Sequence, residues 1–136
     1  MTFSPAAADT LIHFFKDTKT NVGDYDLIFT GDLGYVGTHC LYEIMERAGY
    51  DIRCHHTDCG NIIFDRDTQD THSGGSGCGC SASVLCSYVM HRMEEGKLNN
   101  IIFISTGALM SPTSSFQGEC IPGIAHLLNI RNDNKQ

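Results

Sequence analysis

Apolar residues at Leu11, Ile12, Phe14 and Phe15 fall on or near one face of a helix from Ala6 to Lys16. Ser4-Pro5 ahead of them has the form of an N-cap followed by proline at the first helical position. Lys16 to Asp24 is polar and turn-like. Asp26-Leu27-Ile28-Phe29-Thr30 predicts a buried strand that runs into the turn Gly31-Asp32-Leu33-Gly34. Leu41, Ile44, Met45 and Ala48 recur at helical spacing, which predicts a helix from about Thr38 to Ala48, stopped by Gly49. Asp51 to His56 and Asn61 to Phe64 are two further strand candidates. Asp65 to His72 is charged, shows no period and reads as a loop.

The stretch Gly74 to Ser81 holds four glycines in six positions, Gly74, Gly75, Gly77 and Gly79, and predicts neither helix nor ordinary strand. A helix follows from Ala82 to Glu95. It is apolar nearly all round as far as Met90 and carries no charge before Arg92, the pattern of a helix buried on every side. Asn100 to Ser105 is a strong strand, Thr106-Gly107-Ala108-Leu109 turns away from its end, Gly123 to Ile130 is the last strand, and Arg131 to Gln136 is a polar tail expected to be disordered. Strands alternating with helices indicate a layered α/β fold with a mixed five-stranded sheet. A helix buried all round needs a layer on each side, and one small sheet supplies one. The pattern is that of half of a larger object.

The length of 136 residues allows a single domain, spanning 1–136. Hydrophobic residues at 41% and charged residues at 18% supply a core and exclude wholesale disorder. Nine Lys and Arg against 16 Asp and Glu give a net charge of −7, which argues against a grip on nucleic acid phosphates. No apolar stretch approaches the ~18 residues needed to cross a bilayer, and Met1 to Thr10 lacks the form of a secretory signal.

The seven cysteines are an odd number, and without a signal the default compartment is reducing, so disulfides are not expected. Cys54 and Cys59 with Cys78 and Cys80, assisted by His55, His56 or His72, are the available zinc set. Their spacing argues against it, since zinc knuckles place two or more residues between paired cysteines. No cofactor is expected. Cys40 and Cys86 read as small core residues on helices. Cys78 and Cys80 read either as thiols activated at a helix start or as small side chains wedged against the glycine turn.

The residues from Ser76 to Ala82 resemble the thiolase superfamily, whose fold is two similar halves packed about two buried helices. Ser76-Gly77-Cys78-Gly79-Cys80-Ser81-Ala82 fits the thiolase frame His-Pro-x-Gly-x-Ser-Gly, with Gly79 and Ser81 in place, and Gly75 to Ser81 fits the ketosynthase frame Gly-Asn-Thr-Ser-Ala-Ala-Ser. Within that superfamily the chain is similar to the C-terminal half of the stage V sporulation AD family of endospore-forming bacteria. The residues that carry this are Ser4-Pro5-Ala6-Ala7, Asp9-Thr10, Tyr25 to Ile28, Thr30 to Leu33, Asp58-Cys59-Gly60, Gly74 to Cys78, Thr106 to Pro112 and Glu119 to His126. They stand in one order along nearly the whole chain.

The resemblance implies a thiolase-like fold, binding of dipicolinic acid and a part in its uptake into the developing spore. It also implies work beside the other stage V sporulation A operon proteins, peripheral to the inner spore membrane, and a covering N-terminal half or a homo-oligomer. It implies no enzyme. The thiolase His falls on Ser76 and the second thiolase Cys on Thr106, and the residue at the end of the first strand falls near Gly31 or Asp32. Serine and threonine supply neither a near-neutral base nor an acidic thiol. A planar dianion is held by free backbone N–H groups and hydroxyls. Gly75, Ser76, Gly77, Cys78, Ser81 and Thr106 are therefore the expected ligand residues, with Asp32 and Asp58 as participants if the ligand arrives as its calcium chelate. The competing readings are a thiolase or ketosynthase-type acyltransferase and a zinc-stabilised interaction module.

Overall fold

A computed structural model describes residues 3–72, 77–108, 112–118 and 121–133. Helix α1 (Phe3–Thr18) buries Ser4, Ala7, Ala8, Leu11 and Phe15, the stripe that helical spacing calls for. Ser4 is not a cap. It lies inside the helix, and its buried hydroxyl donates to the Gly37 carbonyl at 2.8 Å, fastening α1 to the next helix. That helix, α2 (Gly34–Arg47), begins well before the expected Thr38 and stops at Gly49 as predicted.

Strand β1 (Leu27–Thr30) lies where the apolar run placed it. The strand candidate at Asp51 to His56 is displaced: Arg53–His55 forms a 3₁₀ turn, and β2 (His56–Asp58) follows it. The strand candidate at Asn61 to Phe64 is a helix instead. α3 (Cys59–Ile63) starts because the Asp58 side chain accepts from the Gly60 N–H, an N-cap that turns the chain out of the sheet. Strand β3 (Asn100–Ala108) runs through Thr106 rather than turning there, because β4 (Gly123–Arg131) pairs along its whole length, down to Ala108 opposite Gly123. Asn132, expected in the polar tail, is tied down by bonds to the Asn99 and Met93 carbonyls.

Among the described residues the sheet has four strands in the order β2-β1-β3-β4, where five were expected. β1 is parallel to β2 and to β3, and β4 is antiparallel to β3. Ile28 sits beside Ile102, and Phe29 beside Phe103. These pairs point to opposite faces, so the central strands are apolar on both sides. Ile28, Ile102 and Ile104 pack with Leu11, Phe15, Leu41 and Met45 of α1 and α2. Phe29, Ile101 and Phe103 pack with Cys80, Val84, Val89 and Met93 on the other face. The result is a three-layer α/β/α arrangement.

The second helical layer is α4 (Cys80–Val84), a π-helical turn (Leu85–Val89) and α5 (Met90–Glu94). The π turn takes in one extra residue. It sets Val84 and Val89 five positions apart while both still face the sheet. Only one side of this helix is covered. Ala82, Ser83, Cys86, Ser87, Tyr88 and Met90 are exposed, so burial on every side is not achieved among the described residues. Helix α6 (Pro112–Phe116) precedes β4.

Phe15 is buried to 1% exposure, 5.1 Å from Tyr50 and 6.1 Å from Tyr25 between ring centroids. Phe15→Ala is expected to cost about 3–5 kcal/mol of stability, seen as a lower urea midpoint with an unchanged slope.

Candidate functional site

The C-terminal ends of β1 and β2 meet at one carboxylate. Asp58 is buried and accepts from Thr30 Oγ1 at 2.6 Å, Leu33 N at 2.9 Å, Gly34 N at 3.0 Å and Gly60 N at 3.1 Å. It therefore holds the start of α2 and the start of α3 together. Burial pushes its carboxyl above the usual range, against the pull of the Thr30, Leu33 and Gly34 bonds. Its oxygens are turned into the fold, which makes it a support for the expected ligand site rather than a contact.

Thr30 carries the network further. His56 Nε2 lies 3.0 Å from Thr30 Oγ1, and Tyr42 Oη lies 3.0 Å from His56 Nδ1. With Thr30 donating to Asp58, the chain reads Tyr42 O–H to Nδ1, Nε2–H to Thr30, Thr30 to Asp58, which requires neutral His56. Burial pushes the His56 imidazole down to about 4. His56 thus stands on the edge strand β2, yet its side chain is buried and belongs to the core network.

Asp32 stands one turn further out. Its Oδ2 accepts from the Gly77 N–H at 3.0 Å, and its own N–H donates to Thr106 Oγ1 at 3.3 Å. One residue thereby bridges the turn after β1, the glycine-rich turn and strand β3. Two glycines make the approach feasible. A Cβ on Gly31 would lie 2.9 Å from Thr106 N and 3.3 Å from the Ser81 Cβ. A Cβ on Gly60 would collide with the Asp32 carboxylate. Asp32, Gly77, Ser81 and Thr106 are brought together as the sequence suggested. Cys78 is exposed beside them. Gly75 and Ser76 lie outside the described residues.

Cys80 is buried against the Phe29 side of the sheet. Cys59 is buried as well, and desolvation, reinforced by Asp58, Cys80 and Asp32, pushes its thiol up to about 12, far from a thiolate at neutral pH. Among the described residues no group of three or more His, Cys, Asp or Glu could hold a metal ion. One feature escaped the sequence reading. The Arg66 guanidinium lies 3.5 Å from the centroid of the Tyr35 ring, at the edge of a cleft beside Gly60. Nothing in the spacing of Tyr35 and Arg66 signals the stack, because the loop that carries Arg66 shows no period.

The family model for stage V sporulation protein AD matches residues 1–131. Stage V sporulation protein AD of Bacillus subtilis (strain 168) is 48% identical over 123 residues, which cover 90% of this chain and 36% of that protein. The chain thus spans about a third of the length of the curated relative it matches.

The His56 imidazole titrates at about 4 when folded against 6.5 for an unperturbed group. Across that interval the unfolded chain binds a proton that the folded chain refuses, so stability falls as pH is lowered through it. The loss from His56 is about 3 kcal/mol. Asp58 acts in the opposite sense: its raised carboxyl takes up a proton earlier in the folded state and offsets part of the loss. Urea unfolding at neutral and at acid pH is expected to show this fall in the wild type and a smaller one in His56→Gln. A fall as large in His56→Gln as in the wild type would mean that His56 is not held neutral.

Proposed function

Because the chain belongs to the stage V sporulation protein AD family, we propose that it is the C-terminal, thiolase-like half of a non-catalytic sporulation protein that binds dipicolinic acid for uptake into the developing spore. The observation that carries this is the Asp32 bridge, which ties the turn at Gly77 to Thr106, with Ser81 packed close to Gly31 beside it. Hydroxyls at Ser76, Ser81 and Thr106 and the backbone of the glycine turn are suited to a carboxylate ligand. Asp32 beside them favours the calcium chelate over the free dianion. The absence of a catalytic role is part of the proposal. It is supported by serine and threonine at the two positions that matter in the thiolase frame, Ser76 and Thr106, and by the high thiol pKa of Cys59.

The proposed partners are a covering N-terminal half or a second copy, and the other stage V sporulation A operon proteins. The uncovered side of the 80–94 helix, with Tyr88 and Met90 exposed, supports a covering partner. No helix among the described residues is long and apolar enough to cross a membrane, in keeping with a peripheral place at the inner spore membrane.

Calorimetry with dipicolinate, with and without calcium, tests the ligand. Ser76→Ala and Thr106→Ala are each expected to weaken binding about fivefold, the effect of one hydrogen bond of ~1 kcal/mol. Unchanged affinity in both removes the glycine turn from the site, and covalent acylation of Cys78 or Cys80 by an acyl-CoA would overturn the non-catalytic reading. Sedimentation is expected to show self-association of the chain, relieved when the rest of the relative's length is supplied. A stable monodisperse monomer would count against the half-fold.

A further inference from the structure

Arg47, Arg53 and Lys97 each reach a carboxylate, whereas Arg66, like Lys16, Lys19, Arg92 and Arg131, pairs with none among the described residues, and it differs from those four in both stacking on an aromatic ring and standing at the edge of a cleft. In the same loop Asp65 accepts from Asp67 N and Thr68 Oγ1, and Asp70 lies 3.6 Å from His72 Nδ1. The guanidinium is held flat by the Tyr35 ring at 3.5 Å, which leaves its donor edge open. It borders a cleft of about 220 Å³ lined also by Asn61, Phe64, Thr71 and His72. His72 sits there with φ of 50°, a left-handed conformation that a non-glycine residue adopts at a cost of roughly 1–2 kcal/mol, and such strain gathers at ligand sites.

We propose that this cleft binds a planar aromatic carboxylate, with the carboxylate on the Arg66 fork and the ring against the Phe64 side. Arginine on a flat support is preorganised for two parallel bonds to a carboxylate. The volume lies below the ~300–1,000 Å³ of sites for drug-sized molecules and suits a single ring. On a chain of net charge −7, an unpaired guanidinium in a concave, aromatic-walled place is the group that an anion finds first. The cleft also adjoins the Asp32 bridge through Gly60, which lines the one and touches the other. The proposal rests on the reading above only for the name of the ligand: if that reading holds, this cleft is where a carboxylate of dipicolinate is recognised.

The test is titration of the full 136-residue chain with dipicolinate, with isophthalate (the same two carboxylates on a benzene ring) and with inorganic phosphate, read by calorimetry and by amide shifts of Tyr35, Phe64 and Arg66. Arg66→Ala is expected to weaken both aromatic ligands about tenfold or more, the weight of a bidentate charged contact. Arg66→Lys, which keeps the charge and loses the fork, is expected to recover only part. Circular dichroism should leave these surface variants folded. If dipicolinate binds and Arg66→Ala changes nothing, the cleft is overturned and the ligand reading stands. If isophthalate binds through Arg66 and dipicolinate does not bind at all, the ligand reading falls and the cleft stands. Binding of phosphate alone, or of none of the three, overturns the cleft.

Discussion

A single buried carboxylate does the work of several ordinary caps in this fold. Asp58 ends β2, caps α3 and closes the turn that launches α2, all through its two oxygens. The donors come from two separate stretches of chain, residues 30–34 and Gly60, so no local motif replaces the group. Removing it would leave buried N–H groups without a partner at two helix starts at once, a cost greater than that of one lost hydrogen bond. Everything at that end of the sheet is referred to it. The Gly31–Gly34 turn holds Asp32 in place, Asp32 holds the glycine-rich turn, and Thr106 closes the ring from β3. The candidate site is thus a consequence of how the parallel strands are terminated.

The two faces of the sheet are treated differently. One is sealed by α1 and α2, with Ser4 bonded to Gly37 and Thr10 bonded to the Ala125 carbonyl. The other is covered by one interrupted helix whose outer side is bare. That helix retains apolar residues on its outer side, Tyr88 and Met90, where a surface helix would carry charge. Its polar outer positions are small, Ser83 and Ser87, which permits close approach by another backbone. Arg92 shields part of Tyr88 by stacking at 4.8 Å.

What periodicity encodes, it encoded well here: α1, the middle of α2, β1, the start of β3 and the line of β4 all follow from runs of Leu, Ile and Phe. The errors fall where a distant group decides. Asn61 to Phe64 has the composition of a strand, yet Asp58 caps Gly60 and makes a helix of it. The early start of α2 depends on the same carboxylate, which lies more than twenty residues away and is invisible to any window. Thr106 was expected to turn outward because glycine follows it, and the pairing with β4 holds it in the strand instead. Of the candidate site, the glycine frame made Gly77, Ser81 and Thr106 legible, and a turn pattern suggested Asp32. The buried roles of Asp58 and His56 and the stacking of Arg66 on Tyr35 were not legible, since each is created by tertiary approach between stretches with no shared pattern.

The pairing of β1 with β3 has a bearing on how the chain acquires its structure. Leu27 lies beside Ile101 and Thr30 beside Ile104, so the centre of the sheet closes only after a long excursion of the chain has been made. Contacts of such separation are slow to form, because loop entropy must be spent before they repay it. During synthesis β1 emerges first, with Ile28 and Phe29 facing opposite ways and an unpaired edge awaiting β3. For that interval the segment is a short, flat, apolar strand, the kind that associates with copies of itself. The antiparallel return of β4 along β3 is local by comparison and is able to form quickly, presenting a finished ribbon on which β1 docks. At the heart of the sheet, loop-closure entropy therefore favours the β3–β4 pairing ahead of the docking of β1.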